Sequence, residues 1–293
     1  MKRRILSIDG GGIFGILPAH FLAALGPVDW DLVSGTSIGG IIACGLAHGV
    51  AAAAIENMLV QDGGTIFAKS LQRDVLRPFD ARYSAEPLEA FLAQTFGDAM
   101  LSSASTNLLV PTCVLGTVSV MFFKSWVAKA KPSHDFALKD VARATSAAPT
   151  YFPHASIKSA AGEQFDCWDG GMGLNNPTLA AILDARHLWP GDELAVLSLG
   201  TGQRTKPISL RDDGFIGVLP NIVSAMMAFQ VSPVERLASE SPNAAVERVT
   251  ITLPPGVDSD FDDASAENIA AIQTAAVTMA ASENLDRARA VLA

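Results

Sequence analysis

A chain in which apolar stretches of strand length run again and again into glycine turns has few folds open to it. Here it happens at residues 4–8 before Asp9-Gly10-Gly11-Gly12, and at 31–33 before Ser34-Gly35. It recurs near 164–168 before Asp169-Gly170-Gly171, and at 194–199 before Gly200-Thr201-Gly202. Helical spacing follows the first turn through Ile16, Leu17, His20, Phe21 and Leu25. Further helices are expected at 84–96 with Ser84 as N-cap, at 136–147 before Pro149, and at 176–188 before Trp189-Pro190. Residues 108–115 and 118–123 read as strands around Gly116-Thr117. Strand, glycine turn and helix in alternation imply an α/β fold, three-layer α/β/α with a mainly parallel central sheet. With 49 % of 293 residues hydrophobic and only 7 % aromatic, the chain suits close helix-on-sheet packing.

From about Gln203 the pattern changes. Helical segments at 215–230, 265–279 and 282–292 surround one strand at 246–253 and an acidic loop at 258–263. No linker intervenes, so a single domain over 1–293 is expected, with 1–202 as catalytic core and 203–293 as a mainly helical cap or regulatory portion. Residues 63–82 lack a period and read as a lid-like connection. The apolar run at 38–55 is long enough to be mistaken for a membrane span, but its Ala and Gly content and its start at a tight turn favour one buried core helix. The opening Met1-Lys2-Arg3-Arg4 is followed by an apolar stretch that Asp9 and three glycines cut short, so no secretion signal is expected.

A formal charge of −9 with no basic cluster argues against binding a nucleic-acid polymer, and against recruitment to anionic lipid by charge alone. Cys44, Cys113 and Cys167 are odd in number and set among apolar residues, as core thiols of a reducing compartment would be. A cytoplasmic protein, or one peripheral at the inner membrane surface, is expected.

The chemistry concentrates in the glycine turns. In Gly35-Thr36-Ser37-Ile38-Gly39, a serine between a strand and a helix can project its Oγ from a sharp turn that needs glycine on both sides. A helix N-terminus also favours the negative charge that develops during attack. In Asp9-Gly10-Gly11-Gly12-Ile13-Phe14-Gly15, successive unshielded N–H groups can converge on an anionic oxygen. Such donors contribute about 10²–10³ in rate each. Gly10, Gly12 and Gly15 also satisfy G-x-G-x-x-G, with Asp29 or Asp31 near the ribose-binding distance, so a nucleotide-binding Rossmann-like module is the competing reading. Asp169-Gly170-Gly171 puts a carboxylate at the carboxyl end of a strand, where it could take a proton from Ser37.

These three motifs in this order resemble the patatin-like phospholipase family. The likeness extends to the 144–153 stretch Ala-Thr-Ser-Ala-Ala-Pro-Thr-Tyr-Phe-Pro, to Asn175-Asn176-Pro177 and to Leu197-Ser198-Leu199-Gly200-Thr201-Gly202. The resemblance implies a Ser37–Asp169 dyad without a catalytic histidine, and an oxyanion hole from Gly10, Gly11 and Gly12. Asp9, Gly15, Gly35, Gly39, Gly170 and Gly171 would support the motifs. It further implies hydrolysis of fatty acyl esters in phospholipids or neutral lipids, without a metal or other cofactor, and contact with a membrane periphery. Members usually carry a basic residue where this chain has Phe14, which leaves the headgroup preference open.

An α/β-hydrolase triad usually places its histidine late in the chain, after the acid; here the last is His187, within an expected helix, and none follows it, so His154, in a loop, is the one to test. Asn175 and Asn176 either order a turn before Pro177 or bond Asp169, and Thr145 and Ser146 either end a helix or touch substrate. Ile66, Phe67, Phe79, Met226, Met227 and Phe229 are core, acyl-tunnel or membrane-facing candidates. A defence effector phospholipase switched on by a signalling nucleotide is a second alternative, carried by resemblance.

Overall fold

The computed structural model describes residues 1–68, 81–203, 214–258 and 260–293, with the backbone alone for 214–221. Its sheet has eight strands: β1 (Lys2–Ile8), β2 (Leu32–Gly35), β3 (Asn107–Val114), β4 (Ser119–Lys124), β5 (Ala155–Lys158), β6 (Gln164–Asp169), β7 (Glu193–Leu199) and β8 (Ala244–Val249). The run β3-β2-β1-β7-β8 is parallel. β4, β5 and β6 pair antiparallel. Strand residues alternate between two cores, as a period of two requires. Leu6, Ile8, Val33, Leu197 and Leu199 face the larger core. Ile5, Leu32, Leu194 and Val196 face a smaller one completed by the helix Thr178–Leu188. The sheet is thus buried on both faces, the three-layer α/β architecture expected.

The register of β3 brings distant parts of the chain together. One edge of β3 is paired along 109–114 by β4. The other edge is shared: β2 pairs with it in parallel over Asn107 to Leu109, and β6 antiparallel over Thr112 to Val114. β2 and β6 therefore run toward each other, and their carboxyl ends meet beside Val110 and Pro111. Asp169 thus ends a strand, as its motif implied, where that strand meets the carboxyl end of β2. It arrives head-on from the opposite direction.

The apolar run at 38–55 is not one helix. After α1 (Ile16–Leu25), α2 (Ile38–Ala47) stops at His48 and Gly49, whose φ of 92° lies in the left-handed region, and the chain restarts as the helix Ala52–Ile66. Among the described residues no helix is long and apolar enough to cross a membrane. The helix Ala52–Ile66 runs into the stretch read as a lid, because Leu59, Gly63 and Ile66 keep one face buried. Residues 69–80, with Phe79, lie outside the described residues. The next helix starts at Glu86, with Pro87 in its first turn and Ala85 as its N-cap; Ser84 accepts a 3.4 Å bond from the Glu86 N–H and sits one residue too early.

Beyond residue 203, β8 joins the sheet beside β7, so this portion completes the core as well as covering it. The helices Gly214–Phe229, Ala266–Met279 and Ser282–Leu292 lie where their spacing put them, and Val231–Ser239 is an additional one. The acidic loop is tied down: Asp262, 6 % exposed, accepts from Tyr83 Oη at 2.6 Å and Arg82 at 2.5 Å. The three cysteines are free thiols, and burial pushes all of them above the ordinary thiol range.

Candidate active site

β2 ends at Gly35, and two residues later Ser37 adopts φ 55°, ψ −125° before α2 begins. A non-glycine residue in this region is strained and persists only where its surroundings hold it. They do so here. The Ser37 N–H donates to Thr145 Oγ1 at 3.0 Å, and that hydroxyl donates in turn to the Pro111 carbonyl at 2.7 Å. The flanking glycines are obligatory for close approach. A Cβ on Gly35 would lie 2.0 Å from the Gly39 carbonyl oxygen, and one on Gly39 would lie 2.5 Å from the carbonyls of both Asp9 and Ile8.

Ser37 Oγ donates to Asp169 Oδ2 at 2.6 Å, across 132 residues of sequence. The second carboxylate oxygen accepts the Gly171 N–H at 2.7 Å, which fixes the carboxyl plane. Asp169 is wholly buried. Burial pushes its pKa up to about 7, against the opposing pull of the bonds from Ser37 and Gly171. A carboxylate so desolvated is a far better proton acceptor than one in water.

The glycine loop lies beside this pair, with a point of detail that spacing could not show. The Gly10 N–H is already taken by the Asn175 carbonyl at 3.1 Å. The Gly10 N–H therefore orders the loop, and it is Gly11 and Gly12 whose N–H groups are left without an acceptor among the described residues. Asp9, 2 % exposed, receives two hydrogen bonds from Arg248 on β8, which also donates to Glu235 at 2.7 Å. Burial pushes Asp9 upward while Arg248 opposes it. Gln230 ties the helix Gly214–Phe229 to the same corner. Its Nε2 donates to the Gly171 carbonyl at 3.0 Å, and its Oε1 accepts the Asn175 N–H at 3.1 Å. Arg248 and Gln230 had no signal in the sequence beyond being polar residues in apolar surroundings, whereas Thr145 was singled out there as a helix end or a substrate contact and not as the hydroxyl that holds the Ser37 N–H.

Beside Ser37 lies a narrow apolar pocket of about 50 Å³, walled by Ile38, Leu59, Phe67, Phe91 and Phe152. Met227 and Phe261, both from beyond residue 203, close it. Phe67 and Met227 are thus pocket residues, and Ile66 lines it as well. Ser146 also faces it, but its Oγ donates to the Ala142 carbonyl at 2.7 Å, a helix-terminal bond. Asn176 is a turn former: its Oδ1 accepts the Thr178 N–H at 2.9 Å. Neither Asn175 nor Asn176 bonds Asp169. His154 is half-exposed, and the carboxylate facing it is Asp166, at 4.0 Å.

The Rossmann reading fails on placement. Asp31 precedes β2, where it accepts from Arg3 and the Arg4 N–H, whereas a ribose-binding acid belongs at the carboxyl end of that strand. The end is occupied by Ser37.

Fold and site together define an α/β protein with a buried carboxylate holding the hydroxyl of a serine at a strained strand-to-helix turn. The chain belongs to the patatin-like phospholipase family, whose model matches residues 6–182. It is 32 % identical over 243 residues to "Patatin-like protein 1" of Oryza sativa subsp. indica, covering 68 % of this chain and 58 % of that protein. It is 34 % identical over 249 residues to "Probable inactive patatin-like protein 9" of Arabidopsis thaliana, with 70 % and 62 % covered. With the "cGAMP-activated phospholipase" of Vibrio cholerae it shares 32 % over 207 residues, 61 % of this chain and 56 % of that one. The chain spans less than two thirds of the length of these relatives.

Proposed function

We propose that this protein is a lipid acyl-hydrolase of the phospholipase A or lipase type, cleaving fatty acyl esters with Ser37 as nucleophile and Asp169 as base. The observation that carries this reading is the 2.6 Å hydrogen bond from Ser37 to a wholly buried carboxyl whose pKa stands near 7. In acylation, Ser37 Oγ attacks the ester carbonyl carbon while its proton passes to Asp169. The carbonyl oxygen, now negative, is met by the N–H groups of Gly11 and Gly12. Collapse expels the alcohol, which takes the proton from Asp169. Water then attacks the acyl-enzyme, giving its proton to the same carboxylate, and on collapse the bond to Ser37 Oγ breaks, Asp169 returns the proton to that oxygen and the fatty acid leaves. No metal or cofactor enters these steps.

The acyl chain would lie in the apolar pocket beside Ser37. Ile222, Met226 and Phe229 are exposed at helical spacing on the helix whose buried side carries Met227 into that pocket. A lipid surface would be met there, by a cytoplasmic protein touching the membrane at its periphery. Likeness to a relative described as cGAMP-activated supports a second reading, an effector phospholipase that a signalling nucleotide switches on.

The test is acyl release from short- and long-chain esters by wild type, Ser37→Ala and Asp169→Asn, with and without cyclic dinucleotides. Loss of turnover in both variants is expected. Activity that survives Ser37→Ala would end the proposal, and activity present only with nucleotide would favour the second reading.

A further inference from the structure

On the other side of the glycine loop from the acyl pocket is a second cavity, of about 410 Å³, sharing Met227 and Phe261 with the first. Its walls are more polar than those of the first, though apolar surface still predominates. Asn175, Thr201, Gln203, Glu235, Arg248 and Thr250 contribute to its walls. Phe14, standing where the resemblance calls for a basic residue, adds an apolar one.

Asn175 is 5 % exposed, and its Oδ1 is buried with no hydrogen-bond partner. Turning the amide over would not help, because its Nδ2 faces the Gly10 carbonyl at 3.5 Å and an oxygen there would meet another oxygen. A buried acceptor left unpaired calls for a donor. What lies next to it is the methyl end of Met227. A point 2.3 Å from Asn175 Oδ1, where a Cβ on Gly10 would stand, is 3.3 Å from Met227 Cε and 3.1 Å from Ser37 Cβ. The unsatisfied oxygen is thus a close neighbour of the nucleophile, beside an unbranched side chain that can swing away.

The charge of the cavity is equally specific. Arg248 gives its guanidinium to Asp9 through two nitrogens, to Glu235 through the third, and to Ser198 at 2.9 Å. Among the described residues of the cavity, Arg248 is thus one cation shared between two carboxylates and leaves no positive charge for an incoming anion. Thr201 Oγ1, which already donates to the Gly10 carbonyl at 2.8 Å, offers an acceptor, and the Gln203 amide and Thr250 hydroxyl offer both donors and acceptors, a set that suits a hydroxyl group better than a phosphate, which offers acceptors alone.

We propose that this cavity receives the uncharged, hydroxyl-bearing glycerol end of the lipid whose acyl chain enters the apolar pocket. A glycerol hydroxyl donates to Asn175 Oδ1 once Met227 moves. The inference rests on the acyl-hydrolase reading of Ser37 and makes the protein selective for neutral glycerolipids over phosphate-bearing ones.

Binding can be tested without turnover, using ether-linked dodecyl glycerol and its phosphate monoester, neither of which has an ester to cleave. Isothermal titration of the full chain is expected to show the neutral ether binding about tenfold tighter or more than the phosphate. Glu235→Gln removes a negative charge from the cavity wall and should narrow that gap by about fivefold. Asn175→Leu should weaken the neutral ether, which has two hydroxyls to offer, more than the phosphate, which keeps one. Circular dichroism and urea unfolding identify a variant that has failed to fold, in which case the wild-type preference and the Glu235→Gln shift carry the test. Equal or tighter binding of the phosphate, or a gap that Glu235→Gln does not move, overturns the inference. Parallel hydrolysis of p-nitrophenyl butyrate separates the two claims. Cleavage without the headgroup preference removes the cavity assignment alone, and preference without cleavage removes the hydrolase reading alone.

Discussion

Asp169→Asn should abolish turnover and, above neutral pH, make the protein more stable. The carboxyl is wholly buried, and its pKa is raised from 3.8 to about 7, first by desolvation. At about 1.36 kcal/mol per decade, the charged form costs about 4 kcal/mol in the native state relative to the unfolded chain. The sign follows from proton counts. Between the two pKa values the native state holds the proton more firmly, so stability is greatest below about pH 4 and falls as pH rises toward 7, with the whole deficit present above it. Asparagine carries no charge at any of these pH values. It keeps an oxygen for the Gly171 N–H and presents an amide that can donate to Ser37 Oγ. The variant should therefore gain up to about 4 kcal/mol near pH 9, shrinking to about 2 kcal/mol near pH 5.5. Urea unfolding followed through the four tryptophans at the two pH values measures this. The same carboxyl should make kcat/KM of the wild type rise with pH to a plateau above about 7. A variant no more stable than wild type near pH 9, or a gain independent of pH, would refute the reasoning.

The buried frame gives three further expectations. Gly39→Ala sets a methyl 2.5 Å from two backbone carbonyls that cannot rotate away, so a loss of about 3 kcal/mol or more, seen as a lower urea midpoint, is expected. Arg248→Met strands the Asp9 carboxylate and should cost about 3–5 kcal/mol, with Asp9→Asn in the same chain restoring much of it; additive losses in that double variant would contradict the pairing. His154→Ala should leave esterase activity within about twofold of wild type, because the side chain is half-exposed against Asp166; a folded but inactive variant would replace the dyad with a triad.

What the sequence disclosed was local and what it withheld was long-range. Gly35-Thr36-Ser37-Ile38-Gly39 announced its turn because glycine on both sides of a serine is what close backbone approach demands, and the distances at Gly35 and Gly39 bear this out. Asp169-Gly170-Gly171 was legible as a strand-ending carboxylate, but its approach from an antiparallel strand was not, since pairing direction has no signature in six residues. Thr145, 108 residues from Ser37, and Arg248, 239 from Asp9, could not be assigned their partners by any local pattern. The break between α2 and the next helix went unread because an Ala- and Gly-rich run has no apolar face whose interruption would mark it. The use of the Gly10 N–H by Asn175 likewise depends on a contact 165 residues away.

The most direct measurement is covalent capture of the nucleophile. The intact chain is treated with an alkyl fluorophosphonate, whose phosphorus an activated serine attacks with loss of fluoride, and the labelled peptide is sequenced by mass spectrometry. The expected adduct is on Ser37, absent from Ser37→Ala and formed at least about a hundredfold more slowly in Asp169→Asn. A folded chain that takes no label, labels another serine, or labels Ser37 equally fast without the Asp169 carboxylate would contradict a dyad in which Asp169 activates Ser37.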